Sequence, residues 1–184
     1  IHGIKLYPAG ATTHSDAGVT GIDKIYPQLE AMQKHRIPLL VHGESTHPQV
    51  DVFDRESAFL DAEMPRIVRD FPELRIVLEH VTTAAGIGFV RAHRERMAAT
   101  ITAHHLLINR SDIFRGGLRP HHYCLPVAKT EYDRLELLAA ATSGEPIFFL
   151  GTDSAPHSQK SKESSCCPAG IYTAHAGIEL YAQA

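Results

Sequence analysis

Residues 75–93, RIVLEHVTTAAGIGFVRAH, contain the pattern that decides the fold. The first six of them form a short apolar run, which predicts a buried β-strand. Thr82 or Thr83 is then a suitable N-cap for a helix that continues to about His93. A buried strand followed directly by a helix is typical of a parallel sheet that is covered by helices.

The same alternation of strand and helix extends along the chain. We predict further strands at 4–7, 37–42, 98–102 and 147–150, and helices around 22–32, over 54–71 and from the N-cap Thr130 to near Gly144. We predict loops at 8–18, 104–129 and 158–165, where glycine, proline and small polar residues interrupt regular patterns. This alternation fits either a doubly wound sheet or a (β/α)8 barrel, and the strand pattern alone does not distinguish them.

The composition is that of an ordinary globular domain and argues against several classes of function. The chain has 184 residues, 43% hydrophobic and 21% charged, which is enough for one domain with a sizeable core. A net charge of -3 provides no electrostatic footprint for nucleic acid, and no apolar stretch is long enough for a transmembrane helix. No secretory signal is visible, and three cysteines, two of them adjacent, suit a reducing cytosol, so we expect a cytoplasmic protein. The 13 histidines favour a metal enzyme.

Four of the predicted strands end in a residue that can hold a metal ion. These residues are Lys5, His42, His80 and Asp153. Each has an ordinary alternative explanation: a surface lysine, a hydrogen-bonded core histidine or an aspartate that caps a turn. Their joint occurrence, about one or two strand–helix units apart, favours a metal site, because the carboxyl ends of parallel strands converge on one mouth of a barrel.

Several motifs surround these residues. The segments are KLYPAGATT (5–13), LLVHGE (39–44), LEHVTT (78–83), ATIT (99–102), RPHHYCLP (119–126), GTDSAPH (151–157) and KESSC (162–166). Together they resemble the motifs of bacterial-type dihydroorotases, which belong to the amidohydrolase superfamily. The resemblance implies a TIM (β/α)8 barrel and the reversible, zinc-dependent hydrolysis of the cyclic amide of dihydroorotate to N-carbamoyl-aspartate, a step of de novo pyrimidine biosynthesis. It also implies a homodimer for the full-length protein.

The resemblance assigns a role to each candidate metal ligand. Lys5 corresponds to a lysine that is carboxylated on its amine and bridges two zinc ions. His42 and His80 would bind the more exposed zinc, and Asp153 would bind the more buried zinc and act as general acid/base. Zinc lowers the pKa of bound water, so a hydroxide becomes available near neutral pH, and Asp153 would carry its proton to the departing ring nitrogen.

The resemblance also assigns residues to the substrate. His157 would contact the substrate carboxylate, and the backbone at Leu125 and Ala169 would hold the pyrimidine ring. Thr12 and Thr13 would form the tip of a loop that closes over the substrate.

Part of the family's site has no counterpart in this chain. The family carries a His-x-His pair on its first strand, followed by an arginine and further on an asparagine, and no two histidines here are separated by one residue. The adjacent pairs His104-His105 and His121-His122 are not expected to replace them, because neighbouring side chains on a strand face opposite sides. We therefore expect residues 1–184 to form a partial barrel domain of about five strands, without the first strands and the C-terminal part, that folds poorly and has little activity alone.

Two other functions remain open at this stage. The first is another cyclic amidohydrolase, such as a hydantoinase or an allantoinase, with a similar binuclear centre. The second is a non-catalytic dihydroorotase-like protein that assembles with a partner enzyme, although Lys5, His42, His80 and Asp153 are all retained. For a dihydroorotase or another cyclic amidohydrolase, the partner is a small-molecule substrate.

Overall fold

The computed structural model describes residues 2–184, and Ile1 lies outside the described residues. The strands are β1 (Ile4–Leu6), β2 (Leu39–Val41), β3 (Ile76–Leu78), β4 (Met97–Ile101) and β5 (Phe148–Leu150). The α-helices are α1 (Tyr26–His35), α2 (Arg55–Ala62), α3 (Met64–Asp70), α4 (Ala84–Ala92), α5 (Ala103–Leu107), α6 (Glu131–Ala141), α7 (Gln159–Lys162) and α8 (Gly177–Gln183). Short 3-10 helices lie at Ile22–Ile25, Arg110–Ile113, Pro120–His122 and Ala174–Ala176.

The order of the strands resolves the choice between the two folds. The five strands form one sheet in the order β1-β2-β3-β4-β5, and every neighbouring pair is parallel. A doubly wound sheet reverses its direction of winding at a switch point, whereas a barrel adds each new strand on the same side of the last. The described sheet has no such reversal, so it winds as a (β/α) barrel does.

The two faces of the sheet differ in burial. The register aligns one residue from each of the first four strands in a row: Lys5, Leu40, Val77 and Ala98. Paired residues share a face, and this row is only partly buried or exposed, whereas the flanking residues other than Ile4 are buried in the core with the helices. Lys5 therefore lies on the face that corresponds to the interior of a barrel.

Side-chain caps explain where two of the helices begin. Thr83 accepts a hydrogen bond from the Gly86 amide and starts α4, as its sequence predicts. Thr130 and Asp133 form a reciprocal capping box at the start of α6, which ends at Ala141.

One prediction of local structure is confirmed and two are wrong in detail. The segment 54–71 is helical and consists of α2 and α3, and Pro65 occupies the first turn of α3. The segment 104–129 is not wholly irregular, since Thr102 caps α5 and two 3-10 helices follow. The tract 158–165 includes α7, whose N-cap is Ser158.

Among residues 2–184, no helix is both long enough and apolar enough to cross a membrane.

Candidate functional site

The four candidate metal ligands line one cavity at the carboxyl end of the sheet. The cavity has a volume of about 160 Å³, and Lys5, His42, His80 and Asp153 all contribute to its wall. Other wall residues are Tyr7, Thr12, Cys124, Leu125, Ala155, Ala169 and Gly170. The convergence expected of parallel strands is therefore present in this fold.

The His42 and His80 imidazoles form the buried part of this cavity. His42 Nδ1 lies 3.2 Å from His80 Nε2, and the two rings meet edge to face. On its other side, His42 Nε2 lies 2.8 Å from a carboxylate oxygen of Glu44, which is fully buried. If that nitrogen carries the proton, as its carboxylate partner favours, Nδ1 presents a lone pair to the cavity.

Two of the four residues have left-handed backbone conformations. The φ angles of His80 and Asp153 are 43° and 44°. For residues other than glycine this region costs about 1–2 kcal/mol and is found preferentially at functional sites. Along β3 the side chains alternate between the two faces, which places Glu79 on the same face as Lys5 and His80 on the other. The left-handed conformation of His80 ends this alternation.

Lys5 and Asp153, at the two edges of the sheet, add charged groups to the cavity. The Lys5 ammonium pairs with the Glu79 carboxylate. Burial lowers the pKa of His80 well below its usual value, and the neighbouring His42 and Lys5 act in the same direction, so the His80 imidazole is neutral at pH 7. Asp153 is exposed as a whole residue, yet partial burial of its carboxyl group raises its pKa, an effect that the nearby Lys5 charge opposes.

The donor set fits a divalent metal. His80 Nδ1 is buried and has no hydrogen-bond partner among the described residues. When Nδ1 carries the proton of the neutral ring, the lone pairs of His80 Nε2 and His42 Nδ1 face each other, and a cation held between the two nitrogens would remove that repulsion. Two nitrogen ligands of a tetrahedral zinc, each about 2.0–2.1 Å from the ion, lie about 3.3 Å apart, close to the separation of His42 Nδ1 and His80 Nε2.

The predicted substrate residues surround the mouth of the same cavity. Leu125, Ala169 and Thr12 line it directly. His157 and Thr13 are absent from its wall, but His157 Nε2 lies 3.0 Å from the Ala169 carbonyl oxygen and the Thr13 hydroxyl lies 3.5 Å from the same oxygen.

A second group of possible metal ligands shares only Cys124 with this cavity wall. Ligand atoms of His104, His105 and Cys124 lie within 4.8 Å of one another. Both His105 nitrogens already have partners, at Thr102 Oγ1 (2.7 Å) and the Pro126 carbonyl (3.0 Å), and burial raises the pKa of the Cys124 thiol to about 12. Burial also lowers the pKa of His104 to about 4. His105 and Cys124 are therefore hydrogen-bonded, and all three residues of the group are uncharged at pH 7.

The remaining histidine pairs follow the sequence analysis only in part. His105 lies in α5 and is buried, so its prediction as a loop residue is wrong. His121 and His122 occupy the excursion between β4 and α6, where His121 pairs with Glu163 and His122 Nδ1 lies 3.0 Å from the Asp112 carbonyl. Neither of these two lines the cavity wall described above.

Sequence reasoning missed two acidic residues of the site. Glu44 follows His42 by two positions and Glu79 directly precedes His80, both within motifs already singled out. On an extended chain, residues two apart share a side, which was an available signal for Glu44. No comparable signal pairs Glu79 with Lys5, because they are distant in sequence and meet only across the sheet.

Known proteins with similar sequences support the same interpretation of the site. No family model matches the chain. The dihydroorotase of Methylobacillus flagellatus is 61% identical over 183 residues, which cover 100% of this chain and 53% of that protein. The dihydroorotase of Azoarcus sp. is 63% identical over 179 residues, which cover 97% of this chain and 52% of that protein. The chain is a homologue of the dihydroorotases. It spans about half the length of these curated relatives.

Solved structures agree with this relationship. A Saccharomyces cerevisiae dihydroorotase in complex with 5-fluoroorotic acid superposes with a TM-score of 0.91 at 39% identity, covering 100% of this chain and 54% of that chain. The Campylobacter jejuni dihydroorotase gives 0.89 at 41% identity, covering 100% and 52%. The five parallel strands are thus part of a TIM barrel of the amidohydrolase type. A Thermus sp. D-hydantoinase, with a TM-score of 0.77 at 14% identity over 100% of this chain and 45% of that one, shares the fold alone.

Proposed function

We propose that the full-length protein is a dihydroorotase that interconverts dihydroorotate and N-carbamoyl-aspartate in pyrimidine biosynthesis. The observation that carries the proposal is the convergence of Lys5, His42, His80 and Asp153 on one cavity in a homologue of the dihydroorotases. Residues 1–184 would then be part of the catalytic barrel. A small-molecule substrate, a cytoplasmic location and a homodimer belong to the same proposal.

We propose that this cavity holds two zinc ions. His42 Nδ1 and His80 Nε2 would bind one of them, Asp153 would bind the other, and a carboxylated Lys5 would bridge them. Bound zinc supplies a Lewis acid and lowers the pKa of water. Glu44 would fix the tautomer of His42 by accepting its Nε2 proton, as carboxylates do for many metal-binding histidines. Carboxylation of Lys5 would break its pair with Glu79, because both groups would then be anionic.

Asp153 would move the proton in the reaction. In the hydrolytic direction its carboxylate accepts a proton from the attacking water and delivers it to the ring nitrogen as the amide bond breaks. In the reverse direction the carboxylate takes the proton from that nitrogen as the amide bond forms and gives it to the departing hydroxide, which leaves as water. Partial burial raises the pKa of this carboxyl group, which makes the carboxylate a stronger base toward the attacking water.

Recognition of the ring would depend on loops at the cavity mouth. The backbone groups of Leu125 and Ala169 would hold the polar edge of the pyrimidine, and His157 would contact the substrate carboxylate. The loop 8–18 is anchored by the amide of Ala9 on the Val19 carbonyl (2.9 Å) and brings Thr12 to the cavity. Thr12 and Thr13 would close over the bound substrate.

The direct test compares three cyclic amides in the full-length protein. Purified protein is assayed with dihydroorotate, hydantoin and allantoin, and its zinc is measured per subunit. We expect hydrolysis of dihydroorotate with a much higher kcat/KM than the other two and about two zinc ions per subunit. Preference for hydantoin or allantoin would replace the proposal by a related hydrolase, and a metal-free, inactive protein would favour a non-catalytic partner.

A further inference from the structure

Lys162, the first residue of the KESSC motif, is a buried lysine with an unusual set of partners. It ends the short helix α7, and only 3% of its surface is exposed. Its ammonium donates to the carbonyl oxygens of Tyr123 (3.0 Å), Pro168 (2.8 Å) and Gly170 (2.9 Å). An ammonium has three donors, so all of them are used.

No carboxylate neutralises this ammonium within the described chain. The ion pairs formed by residues 2–184 do not include Lys162. Removing an ammonium from water is costly, and three backbone carbonyls are its principal compensation. A neutral apolar side chain of similar length would fill the same space but would leave these carbonyls without the lysine donor, so the hydrogen bonds and not packing alone account for a lysine here.

The three carbonyls belong to two separate loops at the cavity mouth. Tyr123 lies two residues before Leu125, whereas Pro168 and Gly170 flank Ala169. The Gly170 amide also donates to the Tyr123 carbonyl (3.0 Å), so the two loops are bonded to each other as well as to Lys162. Lys162 thereby connects the two backbone positions assigned to the pyrimidine ring.

These bonds fix the orientation of the Ala169 peptide. Because the carbonyls on either side of it face Lys162, the Ala169 carbonyl turns away, to within 3.0 Å of His157 Nε2. Gly170 has a φ of 149° and lies so close to Ala155 that an added Cβ would come within 2.7 Å of the Ala155 Cβ atom. The loop therefore has little freedom to move toward the cavity, and Lys162 restrains it from the opposite side.

We propose that Lys162 is a positioning residue for substrate binding, which holds the Leu125 and Ala169 backbone in register for the ring. This inference rests on the proposed function and adds to it a residue that does not itself touch the substrate. Lys162 lies outside the wall of the cavity, so it acts through the loops alone. Its loss should weaken substrate binding more than it slows the chemical step, because the metal ligands and Asp153 are on other segments.

The test uses the full-length zinc-loaded protein with Lys162→Met, which keeps the packing and removes the ammonium, and Lys162→Arg, which keeps a cation of different shape. Lys160→Met, an exposed lysine on the same helix, is the matched control. For Lys162→Met we expect KM for dihydroorotate and for N-carbamoyl-aspartate to rise about 10- to 100-fold, with kcat within about threefold and zinc content unchanged. The KM of Lys162→Arg should lie between that of Lys162→Met and that of the unchanged protein. Lys160→Met should have the same KM as the unchanged protein.

A KM within twofold of the unchanged value in Lys162→Met would overturn the inference, as would loss of zinc or a fall in kcat alone. If Lys162→Met is insoluble, Lys162→Arg decides by itself: a raised KM at full zinc content supports the inference, and an unchanged KM overturns it. Failure of the unchanged protein to hydrolyse dihydroorotate would refute the proposed function and is therefore distinguishable from either result.

Discussion

The central strands and the edge strands supply different halves of the candidate site. His42 and His80 follow β2 and β3, which have neighbours on both sides, and they are 3% and 4% exposed. Lys5 and Asp153 belong to β1 and to the segment after β5, the two edges of the described sheet, and both are exposed. Lys5 lies within β1 and not at its end as predicted, whereas the other three residues follow their strands, and the difference in burial follows the position of each strand in the sheet.

This difference shows which part of the site the chain organises by itself. The central half is fixed by packing, by Glu44 behind His42 and by the Thr100 hydroxyl, which accepts a hydrogen bond from the His80 amide at 2.7 Å. The edge half lies beside exposed apolar residues, with Phe149 44% and Leu150 54% exposed. Exposed apolar strands at the edge of a sheet tend to pair with further strands. Relatives about twice as long have additional chain from which such strands can come.

The largest expected effect comes from studying the 184 residues without the remainder of the protein. We expect this chain to aggregate and to hydrolyse little or no dihydroorotate, because its edge strands lack partners and Lys5 and Asp153 are not held in place. Size-exclusion chromatography and a zinc-loaded activity assay, run beside the full-length protein, measure both properties. A monodisperse and active preparation would show that the edge half is already organised.

The next effect concerns Asp153 on the edge strand. In the full-length protein, Asp153→Asn should lower kcat about 10²- to 10⁴-fold, because an amide cannot accept and return the proton. Asp54→Asn, in an exposed position before α2, is the matched control and should retain full activity. A loss of less than tenfold in Asp153→Asn would assign the proton transfer to another group.

A smaller effect is expected in the support of the central half. The buried Glu56 carboxylate accepts hydrogen bonds from the amides and hydroxyls of Thr82 and Thr83, just after His80. Glu56→Ala leaves these donors unsatisfied and should lower the free energy of unfolding by about 3 kcal/mol. Urea unfolding would measure this, with the exposed Asp61→Ala on the same helix expected to change stability by less than about 0.5 kcal/mol. Equal effects of the two substitutions would contradict the prediction.

The smallest effect is a pH dependence at His104, after the central strand β4. Burial lowers its pKa from 6.5 to about 4, and neither ring nitrogen has a partner among the described residues. Between these two values the unfolded chain binds more protons, so stability falls as the pH drops from 6.5 toward 4. At pH 5 the loss from this residue is about 2 kcal/mol. His104→Leu should reduce the difference in unfolding free energy between pH 7 and pH 5 by that amount. An unchanged difference would show that protonation of His104 does not lower the free energy of unfolding.

Much of the site could be predicted from the sequence because its chemistry is local to each strand end. The apolar runs before His42, His80 and Asp153 predict strands, and all three strands are confirmed within a few residues. The caps at Thr83 and Thr130 are likewise local, since the capping side chain and its amide partner are three residues apart. The residues assigned to zinc and substrate by resemblance gather at one cavity, and their roles stay predictions.

Only the tertiary structure decided which distant groups meet. Doubly wound and barrel sheets share the same strand–helix alternation, and the unreversed strand order distinguishes them because order is a relation between strands. The Lys5–Glu79 pair, the left-handed backbone at His80 and the three carbonyls around Lys162 depend on contacts across the sheet or between loops. No local pattern encodes such contacts, because their free energy arises only after the segments have packed together.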